Sequence, residues 1–163
     1  QLFIAQSAAE MIQTGEPLAR IKTEILKRTS NVTLYAYISS LTNLKASGRI
    51  SGLEAFLGSI LKLYPLVEAK DGDIVVMGKA RGTRIIGGNR IVERLRKDIK
   101  DKGSPARLGI IYTGDPEIGE ELKKALGDIW QGNHVEPFGP VEAGSILGTH
   151  AGPGAGGIAA FWK

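Results

Sequence analysis

Between Ser145 and Ile158 the chain reads Ser-Ile-Leu-Gly-Thr-His-Ala-Gly-Pro-Gly-Ala-Gly-Gly-Ile, and this stretch restricts what the backbone can do more than any other. His150 is followed by Gly152, Pro153, Gly154, Gly156 and Gly157. Glycine lets a backbone approach a ligand closely or take a positive φ where a Cβ would clash, and proline stiffens the turn between. The expectation is a tight turn with His150 at its rim, its imidazole able to donate to an anion or an acid head group. A plain glycine-rich connection between two strands, with a histidine in it by chance, fits the same residues.

The rest of the chain alternates helices and strands. Phe3, Ile4, Ala8, Met11 and Ile12 recur at helical spacing, which predicts a helix over Phe3 to Thr14 stopped by Gly15. Pro17 suits the first turn of a second helix reaching Arg28. Val32 to Ile38 alternates as a strand, and Ser39 and Ser40 are placed to cap a short helix through Leu44 to Ala46. Gly52 to Leu61 reads as a helix, and Leu63 to Glu68 with Asp73 to Met77 as a hairpin around a Lys-Asp-Gly turn. A long helix follows over Arg84 to Lys102, its start delayed by Gly87-Gly88. A strand over Ala106 to Tyr112, a helix over Pro116 to Trp130, a short strand over His134 to Phe138 and a final strand over Ile158 to Trp162 complete the pattern. The predicted fold class is α/β, a two-layer α/β domain with helices on a mixed sheet.

With 163 residues, 42% hydrophobic and 23% charged, the chain suits one domain with a buried core. No apolar run approaches the ~20 residues that span a bilayer, so no stable membrane insertion is expected. The start lacks a secretory pattern, and cysteine is absent, which rules out disulfides, thiolate metal sites and thiol nucleophiles and fits a reducing cytoplasm. Gln1 stands where an initiating Met is expected, so a preceding segment is expected too.

The net charge of +4 is concentrated. Lys79 to Lys102 holds nine basic residues against Glu93, Asp98 and Asp101, leaving the remainder slightly acidic. Nucleic-acid grooves usually interleave aromatic stacking residues, which this segment lacks, so a docking surface is the better reading and no nucleic-acid partner is expected. A solvated helix face laced with ion pairs remains open as an alternative.

Spacing disposes of several chemistries. The glycines at 152, 154, 156 and 157 cannot open a dinucleotide-binding helix, because too few residues follow them. There is no phosphate-loop motif, and His134 and His150 lack the spacing of a metal pair; residue order alone leaves a Ser-His-Asp triad open, without a nucleophile-elbow pattern to support it. A second motif, Leu44-Lys-Ala-Ser-Gly-Arg-Ile-Ser51, offers an anion site: Gly48 permits the turn, Arg49 could aim its donors at a carboxylate or phosphate, and Ser51 could cap the next helix. A plain turn with a surface arginine is the alternative.

Taken in order, Leu41-Thr-Asn-Leu-Lys-Ala-Ser-Gly-Arg-Ile-Ser51, Pro65, Asp71-Gly72, Lys79-Ala-Arg81 and Gly148-Thr-His-Ala-Gly-Pro-Gly-Ala155 resemble the C-terminal part of the DegV family of bacterial lipid-binding proteins. Ser47 departs from the pattern, where a second glycine is usual. The resemblance implies a protein of two α/β domains with a long-chain fatty acid in a tunnel and its carboxylate at the domain interface. It implies a non-enzymatic carrier that presents this carboxylate to a separate ATP-dependent fatty acid kinase subunit, with no cofactor beyond the bound fatty acid. The protein's own N-terminal domain, outside these residues, would supply further head-group contacts.

Carried onto this sequence, the resemblance places Arg49 and His150 in the head-group region, with Thr149 beside them and Gly152 and Gly154 shaping the loop. Arg81 would face the kinase subunit. Phe56, Leu57 and Ile60 are candidates for lining the tail, although apolar residues at helical spacing also serve as simple core. Burying an alkyl chain gains about 0.8 kcal/mol per CH₂, so the tail would supply most of the affinity and the polar groups the orientation. Two other functions are kept open: an enzyme for a small anionic substrate with His150 as acid or base, and a nucleic-acid or regulatory binder acting through Lys79 to Lys102.

Overall fold

The computed structural model describes residues 1–39, 41–46, 48, 63–70 and 73–162. Among these, helices α1 (Leu2–Gln13) and α2 (Leu18–Thr29) lead into β1 (Val32–Tyr37), α3 (Leu41–Ala46), β2 (Leu63–Lys70) and β3 (Asp73–Arg81). Then come α4 (Arg84–Lys102), β4 (Arg107–Tyr112), α5 (Glu117–Leu126), α6 (Asp128–Gln131), β5 (Glu136–Glu142), α7 (Ser145–Ala151) and β6 (Gly156–Phe161). The described strands form one mixed sheet in the order β3-β2-β1-β6-β4-β5, antiparallel throughout except for the β4–β5 pair. The two-layer α/β architecture expected from the sequence is what the chain adopts.

Period-two alternation decides which side of the sheet becomes the core. Tyr35 and Tyr37 of β1, Leu108 and Ile110 of β4, and Ile158 and Ala160 of β6 all turn to one face, where they meet Ile91, Val92 and Leu95 of α4 and Ile118, Leu122 and Leu126 of α5. The opposite face is covered at one end by Phe3 of α1, whose ring lies 6.4 Å from that of Phe161. Residues of α3 and α7 pack together over its other end.

Several expectations are corrected. Gly87-Gly88 does not delay α4. A Cβ at Gly87 would lie 3.1 Å from Cγ of Tyr37, and one at Gly88 3.1 Å from Cδ2 of Leu122, so the pair is the contact surface that lets the first turns of α4 close onto the sheet and α5. The single helix expected over Pro116 to Trp130 is broken at Gly127, which takes φ 54 and ends α5 before the short α6. The strand expected over His134 to Phe138 begins later and runs further, because its parallel register with β4 pairs Arg107 with Glu136 and Tyr112 with Glu142. The tight turn expected beside His150 follows it at Gly152 and Gly154, at φ 71 and 87, but the residues up to Ala151 form a helix, α7, which the sequence reading did not include. Gly156 and Gly157 belong to β6: a Cβ at Gly156 would come within 2.8 Å of Ile118 and Tyr37. Ser39 does not cap α3; its hydroxyl donates to the carbonyl of Pro153. The helix predicted over Gly52 to Leu61 lies outside the described residues, as does Ser40.

Candidate functional site

The face of the sheet away from α4 and α5 has a trough across its middle. In one row of the ladder Val67, Ala36, Gly157 and Ile111 stand side by side, and in the next Ala69 sits opposite Leu34. Small side chains at the centre with branched ones on the flanks leave an apolar cavity of about 200 Å³. Leu44 of α3 and Leu147, His150 and Ala151 of α7 line it from above the sheet. A Cβ on Gly157 would sit 3.2 Å from the carbonyl of Tyr35 and 3.3 Å from both Ala36 and Ile111, so glycine keeps the floor of the trough low.

Into this apolar space the chain brings one imidazole. His150 lies in the last turn of α7, half-buried, and its Nδ1 is buried with no hydrogen-bond partner among the described residues. A buried polar atom without a partner is unusual and costly, which sets this nitrogen apart among the described residues around the cavity. The surrounding lining supplies nothing comparable: the hydroxyl of Thr113 is already committed, donating to the carbonyl of Gly152 at 2.6 Å and accepting from the N–H of Ala155 at 2.9 Å. Among the described residues the chamber wall is almost wholly apolar, a lining suited to hydrocarbon.

The other predicted site residues are distributed as follows. Thr149 does not line the cavity. It is exposed, its hydroxyl donates to the carbonyl of Ser145, and its own carbonyl accepts from Asn43. Gly152 caps α7, and Gly154, at φ 87, packs against the Ser39 hydroxyl, so both shape the loop. Arg81 is exposed at the end of the edge strand β3, and the ladder puts it at the same end of the sheet as Ser39. Arg49, Phe56, Leu57 and Ile60 lie outside the described residues. Sequence reasoning missed the floor, Ala36, Ala69 and Gly157, whose signal was a run of small residues on one face of adjacent strands. It also missed Thr113.

The model of a family described as "Uncharacterised protein, DegV family" matches residues 1–163. The chain belongs to the DegV family. A DegV domain-containing protein of Listeria innocua is 36% identical over 160 residues, covering 97% of this chain and 54% of the relative. The crystal structure of DegV, a fatty acid binding protein from Bacillus subtilis, is similar with a TM-score of 0.78 at 32% identity, covering 99% of this chain and 56% of that one. A fatty-acid-binding DegV family protein from Thermus thermophilus is similar with a TM-score of 0.77 at 25% identity, again over 99% of this chain and 56% of that one. The DegV-family chain described here therefore spans about half the length of the relatives it matches.

The basic segment of this DegV-family domain is largely neutralised within the fold. Arg84 is held by Asp115, Glu117 and Glu121, with its Nε 2.9 Å from Glu121 and its Nη2 2.7 Å from Glu117. Arg94 and Lys102 converge on Asp98 at 2.6 and 3.0 Å, Arg90 pairs with Glu93, and Arg96 pairs with Asp128. Lys79, Arg81, Lys97 and Lys100 make no ion pair among the described residues. Much of the segment is thus the ion-paired face that the sequence left open. Among the described residues no helix is long and apolar enough to cross a membrane, and no group of three or more ionisable ligands could hold a metal ion.

Proposed function

We propose that this chain is a fatty-acid-binding domain whose sheet-floored cavity takes the tail of a long-chain fatty acid, with His150 at the carboxylate end. The observation that carries the reading is the combination of an apolar trough with a single buried, unpartnered imidazole nitrogen. Relatives that bind fatty acids, one of them 32% identical, support the same ligand class. Removing a saturated chain from water contributes about 0.8 kcal/mol per CH₂, so a largely apolar cavity with one polar contact is sufficient to retain such a ligand.

The resemblance extends the proposal to delivery. The domain would act without catalysis of its own, holding the acid while a separate ATP-dependent kinase subunit phosphorylates the carboxylate, and the unpaired Arg81 near that end of the sheet would face the kinase. Arg49 and a second domain of the intact protein would complete the head-group contacts. The chain spans 54% of its relative from Listeria innocua, which leaves room there for such a domain.

Native mass spectrometry of the intact protein tests the ligand. Co-purification of a long-chain fatty acid at one per chain is the expected result, and a lipid-free protein that also fails to take up palmitic acid in calorimetry overturns the proposal. Titrating residues 1–163 and the intact protein with the same acid tests the composite site. Far weaker binding by the shorter chain is expected; equal affinity would place the whole site in this domain.

A further inference from the structure

The segment that carries His150 is held from three directions by side chains that bond its backbone. Thr113, which follows β4, is buried, and its hydroxyl donates to the carbonyl of Gly152 and accepts from the N–H of Ala155. Its main chain joins the same clamp: the N–H of Thr113 donates to the carbonyl of Ala155 at 3.0 Å, and its carbonyl accepts from the N–H of Gly154 at 2.8 Å. Asn43 of α3 donates to the carbonyl of Thr149 at 3.0 Å, immediately before His150. Ser39 donates to the carbonyl of Pro153.

These bonds answer a specific need. The last carbonyls of any helix lack intrahelical partners, and α7, seven residues long, is too short to hold its direction by propensity. The N–H of Gly152 closes the helix on Gly148, while Thr113 and Asn43 take carbonyls on either side of His150. Thr113 lines the cavity, but its hydroxyl is engaged by these bonds, and Asn43 is not among the lining residues.

We propose that Thr113 and, less tightly, Asn43 are positioning residues that set the direction of the His150 imidazole toward the cavity, and so govern how well the protein distinguishes an ionised fatty acid from a neutral lipid of the same chain length. The inference rests on the fatty-acid reading above. A threonine is suited to the buried position because its hydroxyl donates and accepts at once, whereas valine, of nearly the same shape, does neither. A small misdirection of one polar group costs orientation much more than it costs burial of the tail.

The experiment compares palmitic acid with its methyl ester as ligands of the intact protein. The wild type is expected to prefer the acid, and His150→Leu to lose that preference; if the wild type shows none, or His150→Leu keeps it, the fatty-acid reading at His150 fails. Thr113→Val is expected to cut the acid-over-ester preference about tenfold, weakening the acid far more than the ester, Asn43→Ala to cut it by a smaller factor, and Thr113→Ser to restore it. A purely structural role for Thr113 would weaken acid and ester equally. Asn43 lies near the surface, so Asn43→Ala keeps the test open if Thr113→Val does not fold. An unchanged preference in either folded variant, with His150→Leu behaving as expected, overturns the positioning role and leaves the ligand assignment standing.

Discussion

The hydroxyl of Tyr35 donates to the carboxylate of Asp98 across 2.6 Å, joining β1 to α4 from inside the core. Arg94 and Lys102, one turn to either side along α4, bring their cations to the same carboxylate, and the Arg94 guanidinium also lies 5.6 Å from the centre of the Tyr35 ring. Asp98 is only 3% exposed, so its charge depends on these partners. Asp98→Ala is expected to destabilise the domain by about 2–3 kcal/mol, because a buried hydroxyl loses a charged acceptor while the two cations turn to solvent. Urea denaturation measures this directly. Tyr35→Phe, which removes the donor and leaves Asp98 its cations, should cost less.

The same carboxylate gives the domain a pH dependence. Burial disfavours its ionised form, but the hydrogen bonds from Tyr35 and Lys102 and the charge of Arg94 outweigh burial and hold Asp98 below the usual carboxylate range. Since the folded state binds this proton more weakly than the unfolded state, the contribution is fully present above about pH 4 and is lost as the pH falls through the lower folded value. Denaturation midpoints should therefore drop more steeply below about pH 4 in the wild type than in Asp98→Asn. Parallel curves for the two proteins would remove Asp98 from the account.

Ala36 stands between Val67 and Gly157 on the floor of the trough. Ala36→Phe is expected to fill the cavity and lower affinity for palmitic acid by about tenfold or more, with the melting temperature little changed because the new ring enters existing space. Calorimetric titration and thermal melting of the same preparation check both halves. Retained affinity would mean that the tail lies elsewhere.

On the delivery role proposed above, Arg81→Glu is expected to impair phosphorylation of a bound fatty acid by a separate kinase subunit while leaving the amount of bound lipid unchanged. Its exposed position on an edge strand, away from the cavity lining, is the reason. Normal phosphorylation by the variant would show that this cation belongs to a solvated face.

Most of the fold was legible from the chain because its strongest signals are local. The alternation in Val32 to Tyr37 and the spacing of Ile91, Val92 and Leu95 require no knowledge of neighbours, and α4 has the limits read from its sequence. What was misread depends on distant contacts. Gly87-Gly88 looked unfavourable in a helix until Tyr37 and Leu122 were found against it, and α7 was invisible because its end is capped by Asn43 and Thr113, far away in sequence. His150 stood out by its glycine-rich setting, yet the cavity beside it did not: Ala36, Ala69 and Gly157 are unremarkable in their own strands and make a trough only when the sheet sets them near one another.

The strand β6 follows every other described strand in sequence, yet it lies between β1 and β4. During synthesis, β1, β2 and β3 emerge as one group able to pair with each other, and β4 and β5 as a second, with no ladder between the two groups until residues 156–161 arrive. Insertion of β6 joins them, and it brings Gly157, the low point of the trough, into place in the same event. A chain lacking that strand would leave the facing edges of β1 and β4 unpaired, the kind of edge that templates pairing with other chains.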